Sequence, residues 1–292
     1  PETGELLFFG YQMMKKPYLT YHRVSKEGVL VQSEEIDIPR PVMMHDWNIT
    51  RNYVVFMDLP LVFDINDAVS GSDPFGFKPE CGARLGVMPR NGSNSDIKWI
   101  DINPCFVFHP MNAYEEDDKI ILHVCRQNKA MVGGMDEIYG GEDSTGKLWK
   151  WTIDLTSGTC SEEQIDDRPC DFARIDDRLV GLKAKNGYAM ALDEKAETLT
   201  FDQYLYKFDL ENNKRIDHDL GNNVFGGEPI FVPKFDNSSE NDGWVMAIVY
   251  DANISKSKLI IVDTENFDKK PISEIILPQR VPFGAHGSWL SN

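Results

Sequence analysis

The chain has no apolar run close to the roughly 18 to 20 residues that carry a helix across a bilayer, so no transmembrane segment is expected. Transient contact with a membrane is compatible with this. Positive charge is also scarce: 30 Lys and Arg against 47 Asp and Glu give a formal net charge of -17 at pH 7. Such a surface repels the phosphates of nucleic acid, so no nucleic-acid partner is expected, and it disfavours docking on an anionic membrane by charge alone. Acidic runs such as Glu115-Glu116-Asp117-Asp118 and Asp166-Asp167 read as solvated turns. Cysteine is sparse. The five (Cys81, Cys105, Cys125, Cys160, Cys170) are scattered with no C-x-x-C pair, which excludes a zinc ribbon and argues against a disulfide framework. A reducing compartment, the cytoplasm, is the simplest expectation. The N-x-S/T triplets at Asn48, Asn91, Asn237 and Asn253 then carry no meaning.

Nucleophile signatures are missing too. There is no G-x-S-x-G and no cysteine beside a histidine partner. Gly141-Glu142-Asp143-Ser144-Thr145-Gly146-Lys147 copies most of a phosphate-binding loop, but Leu148 stands where a Mg²⁺-binding hydroxyl is required. Two carboxylates inside the loop would repel phosphate, so it reads as a hairpin turn. The start, Pro1-Glu2-Thr3-Gly4-Glu5, has no initiator Met, basic region or apolar signal segment. The expectation is a C-terminal part of something longer.

What the chain does have is short stretches of β-branched and aromatic residues. They include Leu6–Tyr11, Tyr18–Val24, Tyr53–Leu59, Lys119–Cys125, Leu148–Ile153, Leu205–Phe208, Trp244–Tyr250 and Lys258–Val262, separated by Gly, Asn, Asp, Ser and Pro. That punctuation belongs to antiparallel strands and hairpins. No long 3.6-period stripe occurs, so helix is confined to loop pieces such as the region after Asp64. Three strand-like segments end in aspartate before a turn, at Asp154, Asp209 and Asp263. Their spacings of 55 and 54 residues (209 − 154 and 263 − 209) fit four-stranded propeller blades with loop insertions better than a sandwich. A single all-β domain over 1–292, with a 41% hydrophobic share to build its core, is expected.

Six histidines are present. A lone histidine on an apolar face is more often a packed core residue than a ligand. Three, however, lie in distinctive words: Met44-His45-Asp46-Trp47, Phe108-His109-Pro110-Met111-Asn112-Ala113-Tyr114-Glu115 and Pro282-Phe283-Gly284-Ala285-His286-Gly287. Neutral imidazole suits divalent iron. His22 lies in ordinary strand alternation, and His123 and His218 match no ligand motif.

These words resemble the carotenoid cleavage oxygenase family, which includes the lignostilbene dioxygenases. The likeness extends through Phe8-Phe9-Gly10-Tyr11, Asp58-Leu59-Pro60-Leu61, Gly82-Ala83-Arg84-Leu85-Gly86 and Phe225-Gly226-Gly227-Glu228-Pro229. The resemblance implies a seven-bladed β-propeller, here lacking its N-terminal part, with one Fe(2+) per chain on its axis. It implies His45, His109 and His286 as three iron ligands and catalytic residues, with a fourth histidine ahead of Pro1. It implies Glu228 behind a ligand histidine, His286 by expectation. Asp171 stands in Asp171-Phe172-Ala173-Arg174-Ile175-Asp176 where the family has glutamate. One methylene shorter, its reach to His109 is open to question, and the partner of His45 is expected upstream.

The activity implied is insertion of dioxygen, the co-substrate, across a conjugated C=C bond of an apolar carotenoid or apocarotenoid, giving two carbonyl products. Phe108 and Phe283 are candidate walls of the substrate tunnel. A stilbenoid-cleaving enzyme is the alternative within the family, and a propeller that only binds partners is the alternative outside it.

Overall fold

The computed structural model describes residues 3–130, 144–193, 200–283 and 286–290. The described residues are built of successive antiparallel sheets taken up in chain order. Strands β1 (Leu6–Tyr11), β2 (Leu19–Val24) and β3 (Leu30–Ile36) form the first. In the second, β4 (Asn48–Ile49) pairs with β5 (Tyr53–Asp58), and β5 with β8 (Ala83–Pro89), which pairs in turn with β9 (Lys98–Ile102). Between β5 and β8 a small hairpin, β6 (Leu61–Phe63) with β7 (Phe75–Phe77), carries α1 (Ile65–Ser70), the one α-helix among the described residues. Asp64 caps α1, its side chain accepting from the Asn66 N–H.

Seven strands follow in unbroken order: β10 (Phe106–Glu116), β11 (Lys119–Gln127), β12 (Lys147–Asp154), β13 (Thr159–Arg174), β14 (Asn186–Leu192), β15 (Phe201–Asp209) and β16 (Lys214–Asp219). They make two four-stranded units that share β13. Its residues 159–169 pair with β12, whereas Cys170–Arg174 pair with β14. The last sheet joins β17 (Val224–Phe225), β18 (Ile230–Pro233), β19 (Gly243–Asp251), β20 (Lys256–Asp263) and β21 (Ser273–Ile276). Consecutive four-stranded meanders of this kind are the blades of a β-propeller.

The repeated aspartates have one job. Asp154 accepts from the N–H groups of Thr156 and Ser157, Asp209 from Glu211 and Asn212, and Asp263 from Glu265 and Asn266. Each closes the hairpin after its strand, as short carboxylates do in turns. Ser144 to Gly146 likewise lead directly into β12 as turn and bend; residues 141–143 of that phosphate-loop look-alike lie outside the described residues.

The core runs between the sheets. Trp151, Tyr188, Leu122 and Met190 are fully buried in the central cluster, and Tyr21, Phe56 and Met44 in the cluster under the first two sheets. Each such side chain contributes about 1.5–3 kcal/mol by leaving water. His22 sits opposite Phe8 on the neighbouring strand and stacks on it at 4.8 Å.

His123 is an exception to the rule that buried polar groups are paired. It is 1% exposed on β11 and neither ring nitrogen has a hydrogen-bond partner. Burial, reinforced by Lys150 opposite it, pushes its pKa down to about 4. In the unfolded chain it would titrate near about 6.5. The neutral folded ring is therefore stabilising in full above that pH, and the contribution is lost as pH falls towards about 4. Across this window unfolding should become easier by roughly 3 kcal/mol. A His123→Phe variant is expected to lose that part of the acid sensitivity in urea unfolding run at several pH values. Parallel curves for the two proteins would contradict it.

Candidate metal centre

The three histidines come from distant parts of the chain and meet. His45 lies just before β4, on a segment pinned by buried Met44 and by Trp47, whose ring packs against Phe9, Tyr21 and Phe56. His109 lies within β10 where the pairing to β11 slips on both sides of Pro110, between Val107 and Asn112. Bulges of this kind re-aim side chains beside functional sites. His286 follows the last sheet, on the C-terminal segment. The His45 and His109 ring centroids are 5.0 Å apart at 86°, and those of His109 and His286 are 4.9 Å apart at 79°.

Each ring is tied through the same nitrogen. His45 Nδ1 lies 3.1 Å from the Phe108 carbonyl oxygen, His109 Nδ1 2.9 Å from Asp171 Oδ1, and His286 Nδ1 3.0 Å from Glu228 Oε1. A carbonyl can only accept, so His45 Nδ1 carries the proton, and the carboxylates dictate the same tautomer for the other two. Nε2 is then the lone-pair nitrogen of all three rings, which is the arrangement of a metal-bound histidine with an outer acceptor. Asp171 does reach His109 in spite of its shorter side chain.

The glycines before Glu228 explain its placement. A Cβ at Gly227 would overlap the Ile248 carbonyl oxygen of β19, and one at Gly226 would crowd Met190 Cγ at 3.2 Å. Without side chains the loop lies flat on β14 and β19 and delivers Glu228 to the histidine. Glu228 Oε2 also accepts the Gly287 N–H at 2.7 Å, so both its oxygens hold the C-terminal segment.

Burial lowers the pKa of His45, with neighbouring His109 adding to the effect. Burial also works against protonating His109, but the charge and hydrogen bond of Asp171, helped by Asp46 and Glu228, outweigh it and the net shift is upward. Burial raises the carboxyl of Asp46, partly offset by the Trp47 N–H it accepts.

Do these residues fit a divalent metal? Two imidazoles bound through Nε2 at about 2.1 Å and roughly at right angles place their ring centroids about 4.5–5 Å apart, in line with the spacings here. Asp171 and Glu228 supply two nearby negative charges for a dication. Against this, no group of three or more His, Cys, Asp or Glu among the described residues is drawn together tightly enough to hold an ion as it stands. The donor chemistry and ring spacing fit; a closed cage is not preformed. Three independent acceptors enforce the same free nitrogen on all three rings.

Two cavities flank the centre. An apolar one of about 290 Å³ is lined by Phe201, Ile230, Tyr250, Phe283 and Trp289 and reaches Glu228 and His286. A more polar one of about 400 Å³ is lined by Asp46, Asn48, Asn112, Arg174 and Asp177 and reaches His109, His286 and Glu228. Phe283 thus stands at an apolar cavity, edge-on to Phe201 at 5.0 Å. The Phe108 ring is 5% exposed, packs edge-on against His45 and Phe106, and lines neither cavity. Its carbonyl, not its ring, serves the site, and no sequence word signals that.

A family model described as retinal pigment epithelial membrane protein, RPE65, matches residues 1–291. The chain belongs to this family, that of the carotenoid cleavage oxygenases. It is 33% identical to carotenoid 9,10(9',10')-cleavage dioxygenase 1 of Phaseolus vulgaris, over 100% of this chain and 56% of that protein. Among solved structures, it is similar to Pseudomonas brassicacearum lignostilbene dioxygenase, with a TM-score of 0.87 at 27% identity, covering 100% of this chain and 64% of that one. It is also similar to the cobalt-substituted apocarotenoid oxygenase of Synechocystis, with a TM-score of 0.84 at 28% identity, covering 94% and 58%. The chain spans little more than half the length of the curated relatives it matches. The all-β propeller is the architecture of this oxygenase family.

Asp171 accepts from His109 Nδ1 and from the Phe172 N–H, and is 1% exposed. Asp171→Ala should leave both donors buried without an acceptor and lower stability by about 1–3 kcal/mol. Asp171→Asn keeps an acceptor oxygen and should lose much less. Equal losses in urea unfolding would show that Asp171 does not anchor His109.

Proposed function

We propose that the protein is a non-heme iron(II) dioxygenase that cleaves a conjugated C=C bond of a carotenoid or apocarotenoid into two carbonyl products. His45, His109 and His286 would hold the iron through Nε2. The observation that carries this reading is the shared tautomer: three adjacent imidazoles, each with Nδ1 committed to an acceptor. Their packing at 4.9 to 5.0 Å between neighbouring centroids supports it.

Bound ferrous iron with neutral ligands would supply the activation of dioxygen that organic side chains cannot provide. The chain's own residues do the rest. Phe108 O, Asp171 and Glu228 keep the three protons on Nδ1, so that every Nε2 stays a lone-pair donor. The apolar cavity beside His286 would receive the conjugated substrate and exclude water, and Phe201 and Phe283 would lie against its π system. Held there, the alkene is presented to the centre in a fixed pose, which removes most of the entropic barrier to a two-molecule reaction. Both oxygen atoms end in the products, one on each former alkene carbon.

A stilbenoid substrate is the second reading, favoured by the fold likeness to the lignostilbene dioxygenase. Aromatic cavity walls suit a polyene and a stilbene equally. A propeller that only binds partners would have no use for three tautomer-locked histidines.

Anaerobic loading with Fe(II) should give about one ion per chain, and His109→Ala should lose most of it and all turnover. With ¹⁸O₂, short incubations with a carotenoid, an apocarotenoid and a stilbenoid should give, from the true substrate, two carbonyl products carrying one label each. Label in only one product would replace dioxygenase by monooxygenase chemistry. An iron-free protein after loading would hand the case to the binding-module reading.

A further inference from the structure

Four consecutive residues of β13 deal with two of the histidines at once. Asp171 pairs with Met190 of β14 and Arg174 with Tyr188, so three steps along β13 oppose two along β14 (174 − 171 against 190 − 188). One residue is extra, and the strand bulges. In a regular strand neighbouring side chains point to opposite faces. Here Asp171 and Phe172, side by side in sequence, both reach His109, the first by its 2.9 Å hydrogen bond and the second with its ring 4.5 Å away.

The backbone permits this because Phe172 is left-handed, with φ 55. A bulky residue in that region is strained and persists only where its surroundings over-determine it. Those surroundings are the site itself. The Phe172 ring is 6% exposed and lies 4.5 Å from His109, 5.6 Å from His286 and 5.8 Å from Phe201. It fills the angle between two histidine rings that meet edge-on.

Arg174, two residues on, holds the other side. Its Nη1 donates to Glu228 Oε1 at 3.2 Å and to the Gly287 carbonyl at 3.1 Å, and its Nη2 grips both oxygens of Asp177 at 3.0 and 2.9 Å. Glu228 Oε1 is the same atom that accepts from His286 Nδ1. The guanidinium therefore fixes the acceptor that fixes the ring.

We propose that the Asp171–Arg174 bulge is a positioning device, with Phe172 the wedge that sets the angle between His109 and His286 and Arg174 the clamp that keeps Glu228 on His286. It rests on the reading of these rings as metal ligands, yet it acts on the metal-free chain as well. One strand segment thereby supports two ligands, His109 through Asp171 and His286 through Arg174 and Glu228, with Phe172 packed against both.

The test needs two readouts, the ¹⁵N shifts of the imidazoles without metal and the affinity for Co(II) added alone. At about pH 8, where an ordinary imidazole is neutral, His109 and His286 should each show one Nδ1–H tautomer. Arg174→Gln should give His286 a mixture of tautomers and leave His109 unchanged, a split that general destabilisation would not produce. Phe172→Gly, which relieves the strained φ while removing the ring, should broaden both. Should that variant not fold, Phe172→Leu carries the same comparison. Co(II) affinity should fall by about 10- to 100-fold in each, and Arg174→Lys should restore part of it, since an ammonium can reach Glu228 but cannot fork to Asp177 as well. Unchanged tautomers in folded variants would overturn the proposal. A native protein that binds no Co(II) would instead sink the metal reading, and the metal-free spectra would still decide the positioning role.

Discussion

The centre of this molecule depends on where three protons sit. Each histidine keeps its proton on Nδ1 because an acceptor from another part of the chain stands opposite it, and each acceptor is held in turn. The Phe108 carbonyl belongs to β10, Asp171 to the crossing strand β13, and Glu228 to the loop ahead of β18. These bonds join parts of the chain that lie far apart in sequence. His45 ties the second sheet to the third, His109 ties β10 to the far end of β13, and His286 ties the C-terminal segment to the last sheet. Assembly of the blades and preparation of the site are thus one event.

Two local features follow from that constraint. The strand carrying His109 cannot run straight past Pro110, and the strand carrying Asp171 cannot stay regular and still aim two successive side chains at one ring. Both bulge. The loop carrying Glu228 must lie against β19 more closely than any Cβ would allow, so Gly227 is required. Irregular backbone gathers around the histidines because regular strands point their side chains in the wrong directions.

Much of the architecture was legible in sequence, and the reasons are specific. Strands rich in β-branched and aromatic residues, such as β1 and β5, stood out by composition, and the aspartates at 154, 209 and 263 marked hairpins because a short carboxylate closes a turn. Strand β13 did not stand out. Its first half, Thr159–Pro169, is dense in Glu, Asp and Gln because that half is largely exposed, and acidity reads as loop. The words around His45, His109, His286 and Glu228 pick out residues that the structure brings close together, with Glu228 behind His286. What side-chain motifs could not convey was backbone: the Phe108 carbonyl that orients His45, and the left-handed φ at Phe172 that lets Asp171 and Phe172 share His109. Side-chain length alone left the reach of Asp171 in question, yet from the irregular stretch of β13 it bonds His109 at 2.9 Å.

The most direct measurement is X-ray absorption at the iron edge on the anaerobically loaded protein. The account predicts a shell of nitrogen neighbours at about 2.1 Å with the multiple-scattering signature of at least three imidazoles, and loss of that signature in His109→Ala. A shell dominated by oxygen, or an imidazole signature unchanged in the variant, would contradict it.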